Sequence, residues 1–456
     1  MRRIGLTLLA LGLTLALSAP ASAYQAFKGP LGVLQNKLDA TEGYVLIAPQ
    51  NCKTTYLMDK DGNVVHEWVS KYDAFYAELL PNGNLARAAR LPTKNEFNLY
   101  GGSSGRLEEF DWDGNLVWSH DIYEPGKEMS HHTFEVMPNG NYMFLVWEHH
   151  TYEEAVAKGL NVDDPNRNIP RIKRDGIWCD MIREVDRDHN TVWEFRIWDN
   201  TGDKDDYNGW NINRFLPITA SFGESGSDWT HCNGVAYNPR TKQVTFTSRA
   251  LGEVYVVDYA TRKLVYRWGN PYNYGAGELG GQSYGNDNDQ RLFGPHAPDW
   301  TADDTITVLH NATNRPTGPA TGFYEIDPVK DSVVFEWGSN NVGVQKGTYY
   351  SSHQSGINKM PNGHYLLTLT TGSSVIEIAP DKSIVWEFVN PVYNDTVYYT
   401  SSDHGSVDAG QGLHKAMFYP VDFSGFKGKD MTTVQYKLPN WVEMLSENPV
   451  EKRAAK

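Results

Sequence analysis

The 456-residue chain carries a formal net charge of −15, with 26 tyrosines, 14 tryptophans, 41 glycines and three cysteines. Such an acidic chain has no basic face for nucleic acid, so any anionic ligand must be caught by a local group of arginines and histidines. Cys52, Cys179 and Cys232 allow one disulfide at most, and no two lie close enough in sequence for a zinc motif.

The first residues read as a secretory signal over residues 1–23. Arg2-Arg3 precede an apolar run, Ile4–Leu17, and Ala21-Ser22-Ala23 forms a small-residue cleavage site. The apolar run is shorter than the ~20 residues of a membrane span, so the mature protein is expected to begin near Tyr24, exported and without a span. Residues 24–55 are expected to form a lead-in or an outer strand, and 427–456 a charged tail ending in KRAAK.

Between these ends, six segments repeat one pattern: alternating apolar residues, an acidic turn, then a second alternating run closed by tryptophan. Examples are YLMDKDGNVVHEW (56–68), LEEFDWDGNLVW (107–118) and VIEIAPDKSIVW (375–386), and the closing residues are Trp68, Trp118, Trp193, Trp268, Trp337 and Trp386. Period-two alternation on both sides of a tight turn marks a β-hairpin. A second hairpin alternates with the first, built on turns such as Pro-Asn-Gly: FYAELLPNGNLARAAR (75–90), HHTFEVMPNGNYMFLVW (131–147), HCNGVAYNPRTKQVTFTSR (231–249), HAPDWTADDTITVLHNA (296–312) and HQSGINKMPNGHYLLTLT (353–370), with a weaker copy at 414–426. Two hairpins per period make a four-stranded antiparallel sheet. Six of them predict an all-β fold, a six-bladed β-propeller over residues 24–426. The polar insertions at 149–180, 199–228 and 270–293 are expected to cover one face of the disc without a core of their own.

The histidines fall at matching places in these repeats. His231 and His353 each lie eight residues before a turn proline, Pro239 and Pro361. His296 lies eight before Asp304, and His131 and His132 sit one and two positions later in their own copy. Equivalent repeat positions circle a propeller axis, so His132, His231, His296 and His353 are expected to ring one mouth of the channel.

Three chemistries use such a ring: a zinc or copper site in an oxidoreductase or hydrolase, general acid–base catalysis, and nucleophilic attack by one imidazole while the rest hold an anion. Arg249, in TFTSRA, and Arg315, in LHNATNRPTG, each follow a histidine-headed hairpin. Two guanidinium groups returning to the ring oppose a cation and favour an anion, so no metal and no cofactor are expected. A non-catalytic binding propeller is the remaining alternative.

The stretches DWTHCNGVAYNPRTKQVTFTSR (228–249) and SSHQSGINKMPNGHYLLTLTTGSSVIEIAPDKSIVWEFVNP (351–391), the Arg315 segment and GYVLIAPQNCKTTYLMDKDGNVVHEW (43–68) resemble the bacterial arylsulfate sulfotransferases. The resemblance implies a periplasmic enzyme that moves a sulfuryl group from a phenolic sulfate ester to a phenolic acceptor. The route is ping-pong through a sulfohistidine, without a nucleotide donor. Carried over by motif, His353 would be sulfurylated, while His231, His296 and Arg315 would bind the sulfuryl oxygens. Asn233, Arg249 and His132 would belong to the same site, and Tyr349 is read as an aromatic contact for the aryl ring. The partners implied are small molecules, and a homodimer is allowed. The N-terminal region is short for the separate β-domain of some members, and no close cysteine pair lies near His353.

Overall fold

The computed structural model describes residues 30–92, 101–215, 227–277, 289–313, 315–338, 349–399 and 412–447. The expected secretory signal and parts of the insertions lie outside these residues. Six small antiparallel sheets of four or five strands are described. The first strands of successive blades lie against one another, which places them innermost. The chain is a six-bladed β-propeller.

Each blade after the first is a Pro-Asn-Gly-type hairpin followed by a tryptophan hairpin. The second blade runs Asp73–Leu79, Leu85–Arg90, Gly105–Phe110 and Leu116–Asp121. The third is headed by Glu128–Val136, the fourth by Cys232–Asn238, the fifth by Pro295–Trp300 and the sixth by Gly356–Lys359. The turns form for local reasons. In the acidic turns, Asp59 Oδ1 accepts the N–H groups of Asp61 and Asn63, and Asp186 does the same for Asp188 and Asn190.

Four of the six repeated tryptophans turn out to be latches. Trp68 Nε1 donates to Asp111 O, Trp118 to Arg187 O and Trp193 to Tyr259 O, each reaching the acidic turn of the next blade. Trp386 in the sixth blade donates to Lys60 O in the first, at 2.8 Å, so the same contact closes the ring.

Closure itself differs from the expectation of a sixth inner hairpin at 414–426. That segment supplies a single innermost strand, Met417–Tyr419, which pairs with Tyr44–Ile47 from the other end of the chain. Residues 24–55 also supply Gly32–Asn36, a fifth, outer strand on the sixth blade rather than the first. Within the stretch expected as a tail, Tyr436–Lys437 pairs with Asn63–Val69 and a helix, Trp441–Glu447, follows. Trp441 Nε1 donates to Leu31 O. The insertion 149–180 is not coreless either: two short helices, Tyr152–Ala157 and Ile169–Asp175, bury Ala155 and Ile172 beside Trp210 and Trp229.

One ion pair crosses the closure seam. Lys60 Nζ lies 2.6 Å from Glu377 Oε2, with side-chain exposures of 8% and 0%, and its ammonium sits 4.0 Å from the Trp386 ring centroid. Removing one partner leaves a buried charge uncompensated. Lys60→Met is therefore expected to cost about 3 kcal/mol, read as a lower urea midpoint with an unchanged slope.

Candidate active site at the heads of the inner strands

Three of the four histidines expected to converge, His132, His231 and His296, do so, and His414 joins them. The His132 ring centroid lies 5.2 Å from that of His231, 6.4 Å from that of His296 and 5.8 Å from that of His414, which brings four blades together. The backbone that presents them is irregular in the same way each time. Strand register shifts between His131 and Phe134, between Cys232 and Val235, and between His296 and Asp299. Non-glycine residues with φ near +50° sit beside each shift: His132 (φ 57), His231 (φ 43) and Ala297 (φ 44). Bulges of this kind re-aim side chains next to active sites, at the cost of local strain. Gly102 leaves the space that one ring fills, since a Cβ there would stand 2.1 Å from His132 Cε1.

Buried partners set the protonation of the rings. His231 Nδ1–H donates to the Asp228 carboxylate three residues earlier, which orients the ring. Asp180 accepts the Cys232 N–H at 2.9 Å and the Thr230 hydroxyl, and its other oxygen stands 2.8 Å from His131 Nε2, poorly aligned for a hydrogen bond. A carboxylate at that nitrogen favours a proton there, so His131 Nδ1 accepts the His132 Nδ1–H at 2.8 Å. His131 also stacks on Trp147 at 4.0 Å.

His296 has both nitrogens assigned by main chain. Nδ1–H donates to Gly294 O at 3.1 Å, and Nε2 accepts the Gln354 N–H at 3.1 Å. Carbonyl oxygens only accept and N–H groups only donate, so the proton sits on Nδ1 and the lone pair on Nε2. Burial, then the Arg249 guanidinium and His414, hold its pKa well below the ordinary value. Burial does the same to His132, with its histidine neighbours adding to the effect.

His353 is half-buried, with Nδ1 2.8 Å from Ser352 Oγ, which in turn lies 3.2 Å from Thr371 Oγ1. The loop carrying it is pinned from the neighbouring blade, since Asn311 Nδ2 donates to Ser351 O at 2.9 Å and to Gln354 O at 3.1 Å.

The remaining expected residues divide. Arg249 is buried and its N–H donates to His231 O at 3.0 Å. Asn233 is buried and occupied: Nδ2 donates to Pro295 O at 2.8 Å and Oδ1 accepts from Thr247, so it braces the residue before His296. Arg315 lies near His310 and Tyr324 and over the Phe293 ring. Tyr349 packs on Trp337 and its hydroxyl serves Glu387. Its neighbour Tyr350 is the one near Arg249: burial raises its hydroxyl pKa and the guanidinium lowers it.

Asp228, Asp180, Gln354 and His414 are the residues the sequence reading missed. Asp228 carried a signal, standing three residues before His231 in DWTH, and His414 heads the weak inner repeat.

These buried rings have a consequence for stability. His131, His132, His296, His310 and His414 all have pKa values below the ordinary value, chiefly through burial. With a folded pKa below an unfolded one near 6.5, the unfolded chain takes up protons that the folded chain refuses. Their contribution is intact above about pH 6.5 and is lost as pH falls, by at most about 1.4 kcal/mol per histidine per unit. Urea unfolding should show a clearly lower midpoint at pH 5 than at pH 7.5.

Among the described residues, no group of three or more His, Cys, Asp or Glu side chains is arranged to hold a metal ion, and no helix is long and apolar enough to cross a membrane. None of the curated proteins compared matches the chain significantly. Solved structures with a similar fold include a protein of unknown function from Bacteroides caccae, at 10% identity, 83% of this chain, 98% of that one and TM-score 0.45. They also include virginiamycin B lyase from Staphylococcus aureus, at 10% identity, 80% and 86% coverage and TM-score 0.40. Apo AztD from Citrobacter koseri has 11% identity, 83% and 99% coverage and TM-score 0.38. Similarities of this size carry no argument about function. The family described as arylsulfotransferase (ASST) matches residues 20–377, well over half of the chain. The chain belongs to the arylsulfotransferase family and is a sulfotransferase enzyme.

Proposed function

We propose that this enzyme works in the periplasm, taking a sulfuryl group from a phenolic sulfate ester and passing it to a phenol by a ping-pong route through a sulfohistidine. The observation that carries the reading is a buried group of neutral histidines lying against the Arg249 guanidinium, one of them with its proton fixed away from the site. A neutral imidazole attacks sulfur only through an unprotonated nitrogen, and cationic or N–H donors stabilise the charge spread over the sulfuryl oxygens.

The family resemblance points to His353 as the nucleophile, but the geometry favours His296. Its Nδ1–H is held by the Gly294 carbonyl and its Nε2 lone pair meets the Gln354 N–H of the pinned 351–355 loop, so its tautomer is fixed with the lone pair on Nε2. We place the covalent bond at His296 Nε2. The N–S bond forms as the S–O bond breaks, and the electron pair of that bond leaves with the phenolic oxygen. The product ring carries its remaining proton on Nδ1, where Gly294 O stabilises an N–H made more acidic by sulfurylation. Sulfur displaces the Gln354 N–H from Nε2, and that donor is then free for a sulfuryl oxygen. His353, half-buried, suits a group that meets the incoming phenol.

Steady-state kinetics with p-nitrophenyl sulfate and phenol test the reading. Parallel double-reciprocal lines and phenyl sulfate as product are expected, with rates unchanged by a chelator. Intersecting lines, or rates restored only by added zinc or copper, would contradict it.

A further inference from the structure

His414 stands apart from the other rings. It is 1% exposed, and both of its nitrogens are buried without a hydrogen-bond partner. Its backbone is fixed from the sixth blade, where Thr370 Oγ1 donates to Leu413 O at 2.7 Å and Ala416 N–H donates to Thr368 Oγ1 at 2.9 Å. The ring therefore sits where the fold puts it, yet satisfies neither nitrogen. Burial, followed by Lys415, Arg90 and His353, pushes its pKa down to about 3, so at neutral pH it offers one N–H and one lone pair. Lys415 is turned away, its Nζ 2.9 Å from Asp299 Oδ2.

Arg90 repeats the pattern on the same side. Its Nη2 donates to Gln50 Oε1 at 2.9 Å, while its Nε is buried without a partner. Phe75 lies between the two, with its ring centroid 4.7 Å from that of His414 and 5.1 Å from the guanidinium carbon. Tyr76 stands 6.3 Å from His414. Donors on this side of the ring are thus set among aromatic rings, while Arg249 and His231 lie on the side of the fourth blade.

From this arrangement we propose that His414 and Arg90 form the subsite for the phenolic oxygen, His414 donating its ring N–H to the oxygen that leaves sulfur. The inference rests on the sulfuryl-transfer reading above. His414 keeps its proton throughout. It stabilises the phenolate by a hydrogen bond, and the guanidinium adds its charge. The same pair holds the acceptor as its phenolate in the second half-reaction, where the new O–S bond forms as the N–S bond breaks and its electron pair returns to His296 Nε2. A buried donor matters most when the departing oxygen carries the most charge.

Two leaving groups and one product test the subsite. For His414→Phe, kcat/KM with phenyl sulfate should fall about 10²–10³-fold, while p-nitrophenyl sulfate, whose phenolate needs less help, loses clearly less. His414→Gln, which keeps an N–H donor, should recover part of the loss, and thermal melts of both variants should match wild type. Independently of turnover, 4-nitrophenol bound to wild type should ionise at lower pH than in His414→Phe, followed by its absorbance. Equal losses for both esters together with no change in the bound 4-nitrophenol would overturn the inference and leave the transferase reading intact. If wild type turns over no aryl sulfate but still ionises 4-nitrophenol through His414, the subsite stands and the transferase reading falls.

Discussion

His296→Ala is expected to lower kcat with p-nitrophenyl sulfate by at least about 10⁴-fold, the scale on which loss of a covalent nucleophile is felt. No other change should act so strongly, because the covalent bond is placed on His296 Nε2 alone. His231 is held by Asp228, and His132 donates to His131. The loss should fall on phenol release in the first half-reaction, before any acceptor binds. A pre-steady-state burst of p-nitrophenolate, present in wild type, is expected to vanish. A burst retained in His296→Ala would move the covalent step to another ring.

Asp228→Asn should have the next largest effect, a fall in kcat of about 10²–10⁴-fold with little change in KM. The carboxylate holds the His231 Nδ1–H and so orients the ring. An amide that turns its NH₂ to Nδ1 would invert the tautomer that the carboxylate fixes. His231 is 3% and Asp228 3% exposed, so water cannot restore the balance. His231→Gln, which keeps the volume but not the tautomer, should resemble Asp228→Asn. A variant with wild-type kcat and raised KM would show that the pair only binds substrate.

Much of this architecture can be read from the repeats, because a propeller writes its period into hairpin spacing and its closing tryptophans into one alignment column. The same argument located His132, His231 and His296, since matched positions in matched blades meet at the axis. It failed where residues act across blades or from outside the repeat. Asp180 reaches the Cys232 N–H from the third blade, a contact no local spacing encodes. The innermost strand of the first blade, Met417–Tyr419, finds its partner at Tyr44–Ile47, so the 414–426 copy lacks a second strand and hid His414. Tyr349 and Tyr350 show the limit on a finer scale. They are adjacent in a stretch with no alternating pattern to fix its phase, and one packs on Trp337 while the other lies near Arg249.

The most direct test of the account is to trap the intermediate. Wild-type enzyme mixed with p-nitrophenyl sulfate and no acceptor, quenched at alkaline pH and digested, should yield one peptide heavier by a single SO₃ group. Fragmentation should place that group on His296, and adding phenol before the quench should remove it. The group found on His353 would keep the transferase and correct the nucleophile. No sulfurylated histidine on an enzyme that still releases p-nitrophenol would contradict the central claim.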